Sequence, residues 1–171
     1  MILTKIGMPV TTRIARSEDL NSITEIYNEA VSHTTATFDT TPKNPDEQEA
    51  WFAHHNEKYP VVVADSGGRI VGWASLSQWS DRCAYSDTAE ISLYVRADQR
   101  GKGIGKKLMD AVLAEGQKGG LHTVIARIVE GNEMSVHIHQ AFGFESVGVM
   151  KEVGRKFGKL LDVHMMQKIY R

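Results

Sequence analysis

The run Arg100-Gly101-Lys102-Gly103-Ile104-Gly105-Lys106 constrains this chain more than any other stretch of it. It follows a strand-like segment, Glu90 to Val95, and opens a helix-like one, Lys106 to Lys118. Glycines at alternate positions carry no Cβ, so the backbone between them can turn its N–H groups inward together. The helix behind adds unpaired N–H groups and the positive end of its dipole. Strand, glycine turn and helix start, in that order, make a seat for phosphate. A P-loop would need G-x-x-x-x-G-K-[ST], but Lys107 follows Gly105-Lys106, and Arg100 stands where the first glycine belongs. A dinucleotide turn would need G-x-G-x-x-G, and Lys106 takes the place of its third glycine. The spacing that fits is R-x-x-G-x-G, at Arg100, Gly103 and Gly105. From these residues alone, a ligand loop and a plain glycine-rich turn are both open.

The chain around this loop has 171 residues, a length that suits one domain with a real core. Its 20 Lys and Arg balance 21 Asp and Glu to a net charge of −1, so there is no basic surplus of the kind that nucleic acid attracts. The single cysteine, Cys83, has no internal partner, which fits a reducing, cytoplasmic setting. Met1 to Val10 is too short and interrupted for a leader or a membrane span and is read as an N-terminal extension, residues 1–10, before a domain of residues 11–171.

Local patterns set the element order. Thr11 to Ala15 is a β-branched run that reads as a first strand. Ser17 is an expected N-cap for a helix whose apolar face is Leu20, Ile23, Ile26, Tyr27, Ala30 and Val31. The Thr-rich segment His33 to Thr41 is a loop, with Phe38 as either an anchor on the core or a lid over a ligand. Asn44-Pro45 starts a second helix that is expected to reach about Lys58, with His54 and His55 on its surface. Val61 to Asp65 and Arg69 to Trp79 form a hairpin around Ser66-Gly67-Gly68. Ser80 to Thr88 is a polar loop before the strand Ala89 to Val95. Thr123 to Val129 is apolar enough for a strand buried on both faces. A helix from Met134 to Ala141, capped by Asn132, precedes strands Ser146 to Val153 and Leu160 to Ile169 around a turn at Gly154 to Lys159. Hairpins on both sides of a strand–helix–strand unit predict a mixed, mostly antiparallel sheet flanked by helices, an α/β (α+β) domain.

This order, with the glycine loop between the fourth strand and the third helix, resembles the GNAT N-acetyltransferase family and its acyl-CoA N-acyltransferase fold. Leu93-Tyr94-Val95, Asn132, and His137 to Phe144 ending in Gly-Phe are similar to further family motifs. Ile23 to Glu29, Gly72 to Ser75, Thr88 to Val95, Gln99 to Gly105, Asn132 to His139 and Lys156 to Asp162 look like the phosphinothricin and methionine sulfoximine acetyltransferase group. The resemblance runs through nearly the whole chain from Thr11. It implies acetyl-CoA as co-substrate, the α-amino group of a small amino-acid analogue as acceptor, and a homodimer; a protein N-terminus or a polyamine as acceptor, or a non-catalytic acetyl-CoA sensor, stays open as the alternative.

Acetyl transfer requires loss of the amine's proton, close approach to the thioester, a donor for the tetrahedral oxyanion, and a proton for the departing thiolate. The resemblance puts Glu90 and His139 in the two proton-handling roles and leaves open which is acid and which base. It puts the pyrophosphate on the backbone from Gly101 through Lys102, Gly103, Ile104 and Gly105 to Lys106, with charge from Arg100 and Lys102. The pantetheine arm would pair with Leu93, Tyr94 and Val95, and Asn132 and Ser135 would meet the cofactor from the next helix. Phe38, Trp79, Ser80, Asp81, Arg82 and Tyr85, with Glu90, Ile91 and Ser92, would surround the amine. Arg82 is the candidate partner for a carboxylate. The Trp79-Ser80-Asp81-Arg82 segment departs from the group, which commonly carries an Arg elsewhere in this loop. Lys156 and Phe157 would reach the site from a neighbouring subunit. No metal is expected: His137 and His139 lie two apart on a helix and point away from each other.

Overall fold

The structure is a computed structural model that describes residues 8–171. Residues 1–7 of the expected N-terminal extension lie outside the described residues, and Val10 already belongs to the first strand. The strands are β1 (Val10–Ile14), β2 (Val61–Ser66), β3 (Arg69–Gln78), β4 (Thr88–Val95), β5 (Thr123–Val129), β6 (Glu145–Lys156) and β7 (Lys159–Ile169). They make one seven-stranded sheet in the order β1-β2-β3-β4-β5-β7-β6. Neighbours are antiparallel except β4 and β5, which run parallel. The helices are α1 (Leu20–His33), α2 (Pro45–Ala53), α3 (Ile104–Lys118) and α4 (Glu133–Ala141).

Because side chains alternate along a strand, the sheet has two apolar faces, and each takes its own helices. Ala74, Leu76, Ala89 and Ile91 pack with Leu108, Met109 and Val112 of α3, and with Val136 and Ile138 of α4. Val61, Val63 and Trp73 pack with Ile23 and Ile26 of α1, and with Trp51 and Phe52 of α2. The expected mixed sheet with helices on its faces is the one observed.

Several local expectations change. Ser17 does not cap α1. Residues Ser17–Asp19 form a 3-10 turn, and the buried Asp19 carboxylate accepts the Arg16 N–H (2.7 Å) and two bonds from the Arg13 guanidinium (2.8 and 2.9 Å). Helix α2 does start at the expected cap, where Asn44 and Glu47 exchange side chain-to-backbone bonds (2.9 Å each). It stops at Ala53 rather than near Lys58, because the His54 and His55 rings take the Ala50 and Trp51 carbonyls and Asn56 Oδ1 accepts the Lys58 and Tyr59 N–H groups. His55 is not a surface residue: its Nε2 accepts from Ser77 Oγ on β3 at 2.9 Å. Strand β6 runs on through Gly154 to Lys156, so the hairpin turn shrinks to Phe157-Gly158, both with positive φ.

The parallel junction positions the site. β4 and β5 are in register over Thr88–Glu90 and Thr123–Ile125 alone. Beyond Glu90, β4 stays with β3, while β5 follows β7, so the two strands diverge and a wedge opens between them.

Candidate active site

A cleft of about 1720 Å³ fills this wedge, lined by Ile91 to Val95 on one arm and Ala126 to Glu130 on the other. That exceeds the usual 300–1,000 Å³ of a pocket for one small ligand and leaves room for an elongated one with a second beside it. Along Leu93, Tyr94 and Val95, one backbone edge pairs with Ala74, Trp73 and Gly72 of β3. The other edge has left the β5 ladder and faces the cleft, as an acceptor for an added extended chain.

At the far end of β4 the chain makes a short 3-10 turn, Ala97–Gln99, and enters the glycine run. Gly101 and Gly103 have φ of 74° and 76°, in the left-handed region where a Cβ is strained. This explains two of the three glycines. The amides of Ile104, Gly105 and Lys106 precede the first intrahelical bond of α3, from Lys107 N–H to Gly103 O (3.2 Å), so they are unspent donors at a positive dipole end. Arg100, Gly101, Gly103, Ile104, Gly105 and Lys106 all line the cleft. Lys102 does not: its ammonium caps Asp98 O and Gln99 Oε1.

On the α4 side, Asn132 Oδ1 accepts Ser135 N–H (3.2 Å) and so caps the helix, and both residues reach the cleft. His139, one turn on, is 6% exposed, whereas His137 is exposed. His139 Nδ1 lies 2.7 Å from Ser135 O, and since a carbonyl only accepts, Nδ1 carries the proton. The ring packs edge-on against Phe144 at 4.9 Å. Burial holds its pKa below the ordinary imidazole value, against the pull of the Ser135 carbonyl. His139 is therefore neutral at pH 7, with Nε2 as a free acceptor.

At the vertex, Glu90 has a partner that the sequence reading missed. Arg127 Nε and Nη2 donate to its two carboxylate oxygens at 2.6 and 2.7 Å. The signal was a lone charge inside the apolar run Thr123 to Val129. Both residues line the cleft, and the Trp79 ring lies 5.7 Å from the Arg127 guanidinium.

The expected amine-side residues divide. Phe38, Glu90, Ile91 and Ser92 line the cleft. Trp79, Ser80, Asp81, Arg82 and Tyr85 stand outside it. Trp79 N–H still pairs with Thr88 O, and a 3-10 turn at Cys83–Tyr85 folds the loop back on itself, leaving Asp81, Arg82 and Tyr85 exposed. Phe38 lies directly over Gly154, where a Cβ would stand 2.1 Å from the ring. Lys156 serves its own chain here. It is 3% exposed and donates to Thr37 O at 2.7 Å, which ties the α1–α2 loop to the β6–β7 hairpin, and burial lowers its pKa. Behind this loop, Tyr27, Trp73 and Tyr94 pack ring against ring, and burial pushes the Tyr94 phenol up to about 12. Among the described residues, no group of three or more His, Cys, Asp or Glu could hold a metal ion.

The acetyltransferase (GNAT) domain family matches residues 12–165. The chain is 42% identical over 162 residues to the L-methionine sulfoximine/L-methionine sulfone acetyltransferase of Pseudomonas paraeruginosa, covering 94% of each protein. It superimposes with a TM-score of 0.90 and 39% identity on a GNAT superfamily phosphinothricin acetyltransferase from Sinorhizobium meliloti in complex with acetyl-CoA, over 95% of this chain and 89% of that one. It superimposes equally, with a TM-score of 0.90 and 36% identity, on a ribosomal-protein-alanine N-acetyltransferase from Brucella melitensis, over 94% of this chain and 99% of that one.

Proposed function

We propose that this chain, which belongs to the acetyltransferase (GNAT) family and is an acetyl-CoA-dependent N-acetyltransferase, acetylates the α-amino group of a small amino-acid analogue of the methionine sulfoximine, methionine sulfone or phosphinothricin type. The observation that carries the reading is the wedge between β4 and β5. It runs from unspent amides at the glycine turn, past a free strand edge, to Glu90, Arg127 and His139.

The residues suit the chemistry as follows. The pyrophosphate sits on the amides of Ile104, Gly105 and Lys106, with Arg100 beside it, and the pantetheine arm pairs with Leu93 and Val95 as an added strand would. This leaves the thioester near the vertex. The amine nitrogen attacks the carbonyl carbon, the C–N bond forms, the C–S bond breaks, and CoA leaves as the thiolate. Both Glu90 oxygens are engaged by Arg127, so Glu90 holds the incoming ammonium rather than acting as a free base. His139, neutral with a bare Nε2, accepts one proton of the ammonium and then gives it to the thiolate, while the second proton, released from the nitrogen once the C–N bond has formed, leaves to solvent. The tautomer supports the base-first role for His139: a ring that begins with its lone pair on Nε2 acts first as base.

A homodimer fits the sheet edge. β6 is a 12-residue edge strand with Val147, Val149 and Val153 all exposed, which is the kind of edge that a second copy covers. Phe157 at the hairpin tip holds a φ of 49° while 59% exposed, an expense of backbone strain that a contact would explain. The exposed thiol of Cys83 fits a reducing cytoplasm, and no helix among the described residues is long and apolar enough to cross a membrane.

Release of free CoA from acetyl-CoA, followed with a thiol dye, tests the function. The panel holds methionine sulfoximine, methionine sulfone, phosphinothricin, the common amino acids, spermidine and an alanine-terminated peptide. Saturable turnover of the analogues is expected. Turnover of spermidine or peptide alone would keep the fold and co-substrate and discard the acceptor.

A further inference from the structure

The Glu90–Arg127 pair is a matched set of charges at the vertex of the cleft, and its free edges have a definite chemistry. Arg127 spends Nε and one N–H of Nη2 on Glu90. Its end-on edge, from Nη1 to the second N–H of Nη2, has no hydrogen-bond partner among the described residues. That edge is the fork that grips a carboxylate. Glu90 keeps outward lone pairs on both oxygens. The side chains are 51% and 23% exposed, so the pair is open to a ligand. The Trp79 ring, which does not line the cleft, lies 5.7 Å from the guanidinium, within cation–π range. The other cations lining the cleft are placed for different work: Lys43 pairs with Asp39 at 3.2 Å, Arg100 donates to Val95 O, and Lys106 stands at the start of α3.

We propose that Arg127 is the carboxylate anchor for an α-amino acid acceptor, its free guanidinium edge taking the substrate carboxylate while Glu90 takes the adjacent ammonium. The inference rests on the amino-acid reading above and deepens it. An α-amino acid carries its two charges on groups joined through one carbon, the spacing of a ligand that closes a ring of charge with two side chains already in contact. The pair is neutral in sum. A zwitterion gains on both ends, whereas an amine with no neighbouring carboxylate finds the Glu90 charge already answered by Arg127. Selectivity for amino acids over simple amines follows from one residue. It needs none of the exposed loop at Asp81 and Arg82 where a carboxylate partner was first expected.

The test compares methionine sulfone with its carboxyl-free amine, 3-(methylsulfonyl)propan-1-amine, in the wild type and in Arg127→Met. The readout is kcat and KM from CoA release. The wild type is expected to prefer the acid by about a hundredfold in kcat/KM, the scale of a charge pair made or lost. Arg127→Met is expected to cut the acid's kcat/KM by about as much, mainly through KM, and to raise the amine's, because Glu90 loses the cation that answered its charge, so the acid-to-amine preference collapses. Acetyl-CoA should raise the Tm of both proteins alike, and Arg127→Gln replaces the Met variant if that one does not fold. An acid-to-amine ratio unchanged by the substitution, whether both rates fall together or neither falls, overturns the proposal, because Arg127 would then only steady Glu90. Failure of the wild type to acetylate any α-amino acid overturns the acceptor reading, and this inference with it. The two failures are distinguished by the wild type alone.

Discussion

His139 has its Nδ1–H committed to Ser135 O and its ring buried against Phe144, and this single arrangement sets the pH behaviour expected of catalysis. Its pKa lies below the ordinary 6.5. As pH falls through that lowered value the ring gains a proton and Nε2 loses its lone pair, so kcat/KM should fall on the acid side. His139→Gln should lower kcat by a factor of about 10² and remove that acidic limb, as a pH–rate profile would read. A profile that keeps the limb in the variant would assign it to another group. Ser75 supplies a second residue-scale prediction. Its hydroxyl is fully buried with no hydrogen-bond partner among the described residues. Ser75→Ala removes a desolvated polar atom and should stabilise the protein by about 1 kcal/mol, seen as a rise in the denaturant midpoint.

The element that most rewards a test is the turn into α3. Gly103 is its N-cap, with φ of 76° and nothing within 4 Å of where a Cβ would stand. The objection to a side chain there is therefore conformational and not steric. Gly103→Ala should cost about 1 kcal/mol of stability and also weaken acetyl-CoA, because relief of the strain swings the Ile104, Gly105 and Lys106 amides away from a common focus. Calorimetric titration with acetyl-CoA would show the loss of affinity, and equal affinity would mean that the turn tolerates the left-handed residue. Asn44, Asn132 and the glycine turn were legible in the sequence because each acts on amides within three residues of itself. Ser17 misled for the same reason in reverse. A local cap was available, but Arg13 and Asp19 formed a stronger bidentate pair and set the start of α1 instead.

For the whole molecule, two neutral imidazoles, His139 buried and His55 half-buried, link stability to pH. His55 and His139 both have folded-state pKa values lowered by burial. Below about 6.5 the unfolded chain takes up protons that the folded one refuses, so stability should fall as pH drops from 7 towards 5. Asp19 behaves differently: the Arg13 guanidinium lowers its pKa, so its contribution holds above about 3.9 and disappears only as pH falls through the depressed folded value. Urea midpoints between pH 7 and 5 would check this, and His55→Gln should flatten part of the slope. The exposed edge at β6 sets the assembly prediction. Val149→Lys should turn a dimer into a monomer in light scattering while leaving the Tm of the isolated domain nearly unchanged. A wild-type protein that is monomeric at micromolar concentration would remove the homodimer.

By itself the sequence determined the elements and the loop, because helical spacing, strand alternation, caps and left-handed glycines act over a few residues and need no distant partner. It also carried the fold, since hairpins around a single parallel crossover leave few ways to lay out the sheet. Only the tertiary structure decided who meets whom at the site. Glu90 and Arg127 are 37 residues apart, Lys156 and Thr37 are 119 apart, and His55 and Ser77 are 22 apart. The Glu90–Arg127 pairing follows from β4 and β5 being neighbours in the sheet and from the point where the two strands separate, and the other two pairs follow from how helices and loops pack on it. No periodicity records that point, because it arises from the competition of β3 and β7 for the two strands. This is why a charge in the middle of an apolar strand passed unremarked in the sequence and became, in the fold, the partner of Glu90 at the vertex of the cleft.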